Sequence, residues 1–253
     1  MDILPPPDQY IKEFSYLPWI RVINMVIDHI SAHSNDSSSV LDLMCGPGYL
    51  LNQLYAKKSS LKLFGVDIKS EYIDFAEANF PYIDFLEQDV LTFRPAKKYD
   101  FVVCTGGLHH LLQEDKQEFI LNVLPNLISN NGQVLLADPY ISSYSSESQR
   151  VGKVMQLGLS YLFEVADLSL DANNLATTLD ILRSDLLGYE FKTDLESVLN
   201  ICNATFGTVK VFKTWPTFTE LNRLNSIFQN LPFGQLDKED SFGDYLLVLS
   251  NPK

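Results

Sequence analysis

The segment SSSVLDLMCGPGYLLNQL, residues 37 to 54, restricts the fold more than any other part of the chain. The apolar run VLDLM reads as a strand. Cys45-Gly46-Pro47-Gly48 turns the chain, and apolar residues then resume at helical spacing. An acid, Asp42, sits inside the apolar run, where a reason for it is needed. The same rhythm recurs downstream. LKLFGVDI (61–68) is a strand and SEYIDFAEANF a helix, with Ser70 as its N-cap. IDFLEQDV is a short strand, and YDFVVCTGG (99–107) is a strand closed by two glycines. KQEFILNVLPNLI is a helix, Asn130-Asn131-Gly132 a turn, and QVLLADPY (133–140) a strand broken by Pro139. Strands alternating with helices of about 10–15 residues imply βαβ units and a parallel sheet covered on both faces. Right-handed crossovers make that a doubly wound α/β sandwich.

Outside this core the pattern changes. Residues 1–36 form an N-terminal arm: Pro5-Pro6-Pro7 is irregular, and Tyr10 to His33 is mostly helical, kinked or restarted at Pro18. Residues 141–192 hold a polar stretch and two amphipathic patterns, too long for a plain βα loop, and read as a helical lid insertion. In 193–253, TDLESVLNICNATFG is a surface helix. TVKVFKTW and DYLLVLSN are the last two strands, joined through a helix around FTELNRLNSIFQ. The expectation is a single domain over 1–253, with 37–140 as its ligand-binding core.

Composition removes several alternatives. The chain has 253 residues, 46% hydrophobic and 20% charged, with a net charge of −13. That balance suits a globular domain with its own core. The negative charge, with no Lys/Arg run longer than two, argues against a grip on nucleic acid. Cys45, Cys104 and Cys202 are far apart and form no C-x-x-C pair, so neither a disulfide framework nor a zinc site is expected. The histidines form no ligand set with acids, so no metal is expected; His29 and His33, near a helix end, are expected to be solvated. MDILPPPDQY lacks the features of a signal peptide, and no apolar stretch spans a bilayer. A cytoplasmic setting is the simplest expectation.

In a doubly wound sheet, ligands bind beyond the carboxyl ends of the strands, where the strand order reverses. Glycines let backbone approach a ligand closely, and the following helix start presents unpaired N–H groups. Gly46-Pro47-Gly48 therefore suits a nucleotide-like cofactor. The dinucleotide fingerprint G-x-G-x-x-G lacks its third glycine here, because Tyr49, Leu50 and Leu51 follow Gly48.

The pattern D-L-x-C-G-x-G instead resembles the first motif of the class I S-adenosylmethionine-dependent methyltransferases. The resemblance continues through GVDI, EQDV, YDFVVCTGGLHHL and NNGQVLLADPY, and covers about residues 38–140. The final two strands fit that family's closing pair. It implies a seven-stranded, mostly parallel Rossmann-like sheet and S-adenosylmethionine as cofactor, with S-adenosylhomocysteine as product. Asp42 would then attract the cofactor's ammonium, beside Met44, Cys45, Gly46 and Gly48. Asp67, followed by Ile68, would accept both ribose hydroxyls, Asp89 and Val90 would meet the adenine, and Thr105 and Gly106 would lie alongside.

The resemblance also bears on catalysis. In plant-type small-molecule O-methyltransferases a similar segment carries the general base, which places that role on His109, with His110 beside it. The other reading is a pair of histidines tying the loop to its neighbours. Asp138 and Tyr140 are expected at the acceptor pocket, Asp138 alternatively as a turn residue before Pro139. Tyr10, Tyr16 and Trp19 in the arm and Met155 in the insertion, with Leu159, Tyr161 and Phe163, would give an apolar cover over a small organic acceptor. Oxygen is the favoured acceptor atom, with nitrogen and then carbon as the alternatives. A protein methyltransferase, or a subunit that binds the cofactor without methyl transfer, are the alternatives. A monomer and a homodimer both remain open.

Overall fold

The computed structural model describes residues 4–168, 171–186, 191–229 and 242–253. Its sheet contains β1 (Ser39–Leu43), β2 (Lys62–Asp67), β3 (Asp84–Glu87), β4 (Tyr99–Thr105), β5 (Ile128–Tyr140), β6 (Phe206–Trp215) and β7 (Gly243–Pro252). The seven strands run in the order β3-β2-β1-β4-β5-β7-β6. The first five are mutually parallel, and β7 lies antiparallel between β5 and β6. This is the expected doubly wound, mostly parallel sheet. Strand order reverses between β1 and β4, so a ligand crevice opens at their carboxyl ends.

The pleat assigns each strand residue to one of two faces. Leu41, Leu43, Val102, Cys104, Leu136 and Leu247 pack with Phe119, Val123, Val198 and Cys202. Val40, Val103, Leu135, Ala137, Leu246 and Val248 pack on the opposite face with Val22, Val26, Ile30, Leu50 and Leu54. Those partners come from helices α2 (Ile20–His33) and α3 (Tyr49–Lys57), while α1 (Pro7–Glu13) precedes them in the arm. Helix α2 turns Val22, Ile23, Val26, Ile27 and Ile30 inward, the i, i+3, i+4 stripe of a core-facing helix. Alternation puts Asp42 and Thr105 on the α2 face with Val40 and Val103. Asp244 joins them, in step with Leu246. Asp138 and Tyr140 follow Leu136 to the other face.

The remaining helices are α4 (Ser70–Asn79), α5 (Gln113–Glu118), α6 (Leu124–Leu127), α7 (Glu147–Leu168), α8 (Ala172–Leu186), α9 (Leu195–Thr205) and α10 (Phe218–Phe228). The insertion is thus the helix pair α7 and α8. Val154 and Leu157 of α7 share a third apolar cluster with Trp215, Leu224 and Phe228. Two starts are set by side chains. The Asp194 carboxylate accepts from Ser197 N at the head of α9, and Thr217 with Glu220 forms a capping box on α10.

Local expectations needed correction at several points. The arm restarts after Pro18, one of the two expected outcomes, but the first helix already ends at Glu13 and the second begins only at Ile20. Pro7 opens α1 rather than belonging to an irregular stretch, because the first turn has no use for its missing N–H. Ser70 is the first residue of α4, and Lys69 occupies the cap position without a side-chain bond. The helix expected from Lys116 is α5 and α6 joined by a π-turn over Phe119–Val123. Asn130-Asn131-Gly132 lies within β5, which starts at Ile128 and includes Pro139, and its pairing with β4 shifts register between Tyr99 and Phe101. His29 is half-buried, its Nε2 2.8 Å from Gln133 Oε1, and burial lowers its pKa.

Leu41, wholly buried on β1, tests this packing. Leu41→Ala is expected to cost about 2–5 kcal/mol of unfolding free energy, read from urea denaturation.

Candidate active site

The turn after β1 is tight. Gly46 and Gly48 have φ of 55° and 81°, and Met44 shares the left-handed region at 55°. Only glycine adopts such angles without cost. A Cβ on Gly48 would also come within 2.9 Å of the Phe85 ring. Asp67, at the end of β2, holds the turn: its Oδ2 accepts from Gly46 N at 2.8 Å and its Oδ1 from Lys69 N at 2.9 Å. Behind the turn Asp42 is buried, and its Oδ1 has no hydrogen-bond partner among the described residues. Burial, then the nearby Asp67 charge, pushes the Asp42 carboxyl well above the usual range. Burial also raises Asp67, against the pull of its backbone donors. A buried carboxylate oxygen without a donor invites a cation.

The neighbouring strand ends add to this crevice. Asp89 Oδ1 accepts from Leu91 N at 2.9 Å, and Val90 is buried. Gly106, at φ 67°, donates its N–H to the Ala137 carbonyl at 2.9 Å. A Cβ there would sit 3.4 Å from the Trp19 indole. Leu108–His110 forms a 3₁₀ turn. His109 Nδ1 lies 2.9 Å from Asp138 Oδ1, both residues buried, and the two histidine rings are 4.2 Å apart. The His109 carbonyl accepts from Phe191 N at 2.7 Å. The Lys116 ammonium donates to the Phe191 carbonyl, and burial pulls its pKa down to about 8.

The arm covers the turn. The Tyr10 ring would meet a Cβ on Gly46 at 3.5 Å and packs 5.6 Å from the Tyr72 ring. Burial, and then the charges of Glu13, Tyr72, Asp67 and Asp42, raise its phenol well above 10. Tyr72 donates its hydroxyl to the Pro5 carbonyl at 2.8 Å, and Phe14 stacks on Tyr49 at 4.3 Å. Tyr16 shares a hydrogen bond with Thr177 of α8, and burial pushes its phenol up to about 12. The arm thus rests on the glycine turn and touches the lid.

Many of the expected residues converge. Asp42, Gly46, Gly48, Asp67 and Tyr10 meet at one turn, while Trp19 meets Gly106 and His109 meets Asp138. The other expected residues occupy a range of environments. Tyr140 is buried on the face away from α2, its hydroxyl without a partner among the described residues. Asp138 points the same way and serves His109. Ile68 is 63% exposed, and Met155 is half-buried on α7. Asp244 was not anticipated. It is wholly buried at the head of β7, with one carboxylate oxygen unpartnered among the described residues. Its signal was an acid at the start of the apolar run GDYLLVL, the same anomaly as Asp42.

Residues 40–132 match the methyltransferase domain family. Over that segment the chain is similar to methyltransferase domains, a family whose cofactor is S-adenosylmethionine. The ubiquinone biosynthesis O-methyltransferase of Rickettsia canadensis is 29% identical over 126 residues, 47% of this chain and 52% of that protein. The chain therefore spans about half the length of that relative. The carboxy-S-adenosyl-L-methionine synthase of Campylobacter lari is 24% identical over 207 residues, 80% of this chain and 82% of that protein. Among solved structures, the plantazolicin methyltransferase BpumL, in complex with a pentazolic desmethylPZN analog and SAH, has a TM-score of 0.57 at 17% identity. That match covers 92% of this chain and 86% of the other. The N-methyltransferase NodS from Bradyrhizobium japonicum has a TM-score of 0.56 at 13% identity, covering 95% and 91%. These likenesses extend the shared fold beyond the domain match to the arm, the lid and the closing strands.

S-adenosylmethionine fits the crevice on the domain's own evidence. The orphaned Asp42 oxygen suits its ammonium, Gly46 and Gly48 present bare backbone at the turn, and each Asp67 oxygen retains a lone pair for a ribose hydroxyl.

Burial raises Asp244 from 3.8 to about 7, partly offset by the Tyr161 hydroxyl bond. A carboxyl raised on folding holds its proton in the folded state after the unfolded chain has lost it. Its contribution to stability is therefore full below pH 3.8 and is lost as pH rises through 7. Asp244→Asn should flatten the decline in unfolding free energy between about pH 4 and 7, measured by urea denaturation across that range.

Proposed function

We propose that this chain transfers a methyl group from S-adenosylmethionine to a small organic acceptor. The orphaned, buried Asp42 oxygen under the glycine turn is the observation that carries the reading. A nicotinamide dinucleotide has no ammonium to offer it. Asp42 would hold the cofactor's amino-acid end, Asp67 its ribose, and Asp89 with the Val90 backbone its adenine. Thr105 and Gly106 would run alongside. When bound, the cofactor supplies an electrophilic methyl on a sulfonium.

The chain contributes position, enclosure and a proton acceptor. Tyr10 and Trp19 cover the crevice, and Tyr16 ties the arm to the lid, which favours an enclosed small acceptor over a protein substrate. With Nδ1–H donated to Asp138, the lone pair of the His109 imidazole lies on Nε2, the tautomer a general base requires. Hydroxyl and amine acceptors both suit such a base. The relatives named O-methyltransferase and N-methyltransferase span both atoms. The net charge of −13 supports a small molecule over nucleic acid. No helix among the described residues is long and apolar enough to cross a membrane. The free thiols of Cys45, Cys104 and Cys202 support a reducing, cytoplasmic setting.

Calorimetric titration with S-adenosylhomocysteine, with NAD in parallel, tests the reading. The expected result is micromolar binding, about −8 kcal/mol, for the first and none for the second. Asp67→Ala should weaken that binding by about tenfold or more, because two ribose hydroxyls lose their acceptor. His109→Ala should retain it while losing turnover of labelled methyl donor. Unchanged affinity in Asp67→Ala would remove the site assignment.

A further inference from the structure

The α2 face of the sheet carries a second buried carboxylate, and the methyl-transfer reading gives it no task. Gly243, at φ 116°, passes so close to Trp215 that a Cβ there would lie 2.1 Å from the Trp215 carbonyl oxygen. This crossing fixes the next residue, Asp244, which is wholly buried. Its backbone carbonyl accepts from the Thr214 hydroxyl at 3.1 Å. Its Oδ1 accepts the Tyr161 hydroxyl from lid helix α7. Its Oδ2 is buried without a hydrogen-bond partner among the described residues. The Tyr161 ring stacks on Trp215 at 4.6 Å and 11°, giving the carboxylate an aromatic wall.

Asp244 shares its face with Asp42 and Thr105, and Arg21 of α2 acts on it from the arm side. It therefore belongs to the region between arm, lid and sheet, beyond the cofactor turn. We propose that Asp244 is the acceptor-binding carboxylate of this region and that it takes an amine: the nitrogen donates to Oδ2 while Tyr161 and Trp215 flank the organic skeleton.

The charges around it favour an amine over a hydroxyl or a carboxylate. Arg21 is engaged by Glu220 through contacts of 3.0 and 2.7 Å. Arg223 is engaged by Glu164 and Asp167. Lys192 draws the Asp244 carboxyl toward ionisation, and Asp138 opposes it. These groups and the Tyr161 hydroxyl do not offset the loss of water, since burial still holds the carboxyl up at about 7. A carboxylate so exposed to desolvation gains most from a charge-assisted bond, which is roughly twice as strong as a neutral one. An acceptor carboxylate would meet Asp244 as a like charge and be repelled.

The assignment rests on the methyl-transfer reading, and one experiment separates the two. The full-length protein, saturated with S-adenosylhomocysteine, is titrated with benzylamine, benzyl alcohol and benzoate, three probes of one shape, by ligand-observed NMR. Benzylamine is expected to bind in the millimolar range, at least about tenfold tighter than benzyl alcohol, with benzoate weakest. Asp244→Asn is expected to remove that preference and leave S-adenosylhomocysteine affinity unchanged. Tyr161→Phe keeps the carboxylate and should keep the preference. The assignment falls if benzyl alcohol or benzoate equals benzylamine, if no probe binds, or if the preference survives in Asp244→Asn. Should Asp244→Asn fail to fold, the order of the three probes on the wild-type protein decides alone. Failure of S-adenosylhomocysteine to bind the wild-type protein overturns the methyl-transfer reading, and this assignment with it.

Discussion

A carboxylate held out of water behind a glycine turn is the constraint on which the rest of this protein depends. Asp42 sits in β1 with one oxygen unpartnered among the described residues. In a central strand such a group is destabilising unless a ligand completes it. The fold meets the requirement by placing Asp42 where strand order reverses, where a crevice exists without any distortion of the sheet. Asp67 then ties the next strand to the turn through Gly46 N, so one acid shapes the turn while the other keeps the oxygen that the proposed reading gives to the cofactor's ammonium.

The sheet pleat distributes the other acids. Asp138 and Asp244 occupy neighbouring strands near the same edge, yet alternation sends them to opposite faces. Asp138 braces His109. Asp244 faces the region under the arm and the lid, where Tyr161 reaches it. Two residues of one chemical type thus acquire separate tasks, one of positioning and one of proposed recognition.

The legible part of the site was the local part. The VLDLMCGPG turn and the acid closing β2 are fixed by neighbouring residues, and the order of strands and helices follows from periodicity. The acceptor side was legible only in pieces. Tyr140 stood beside Asp138 at a promising edge, but its facing depends on the register of β5 with β7, which no local pattern encodes. Asp244 and Asp42 are about 200 residues apart and share a face only because β7 inserts antiparallel beside β5. His29 looked solvated because its partner, Gln133, comes from a strand more than a hundred positions away.

The arm rests on Gly46 through Tyr10, on Gly106 through Trp19 and on the lid through Tyr16 and Thr177. Under the proposed methyl transfer, a cofactor seated at this turn would lie beneath the same segment that is joined to the inserted helices, so exchanging the cofactor and uncovering the acceptor would disturb one shared set of contacts.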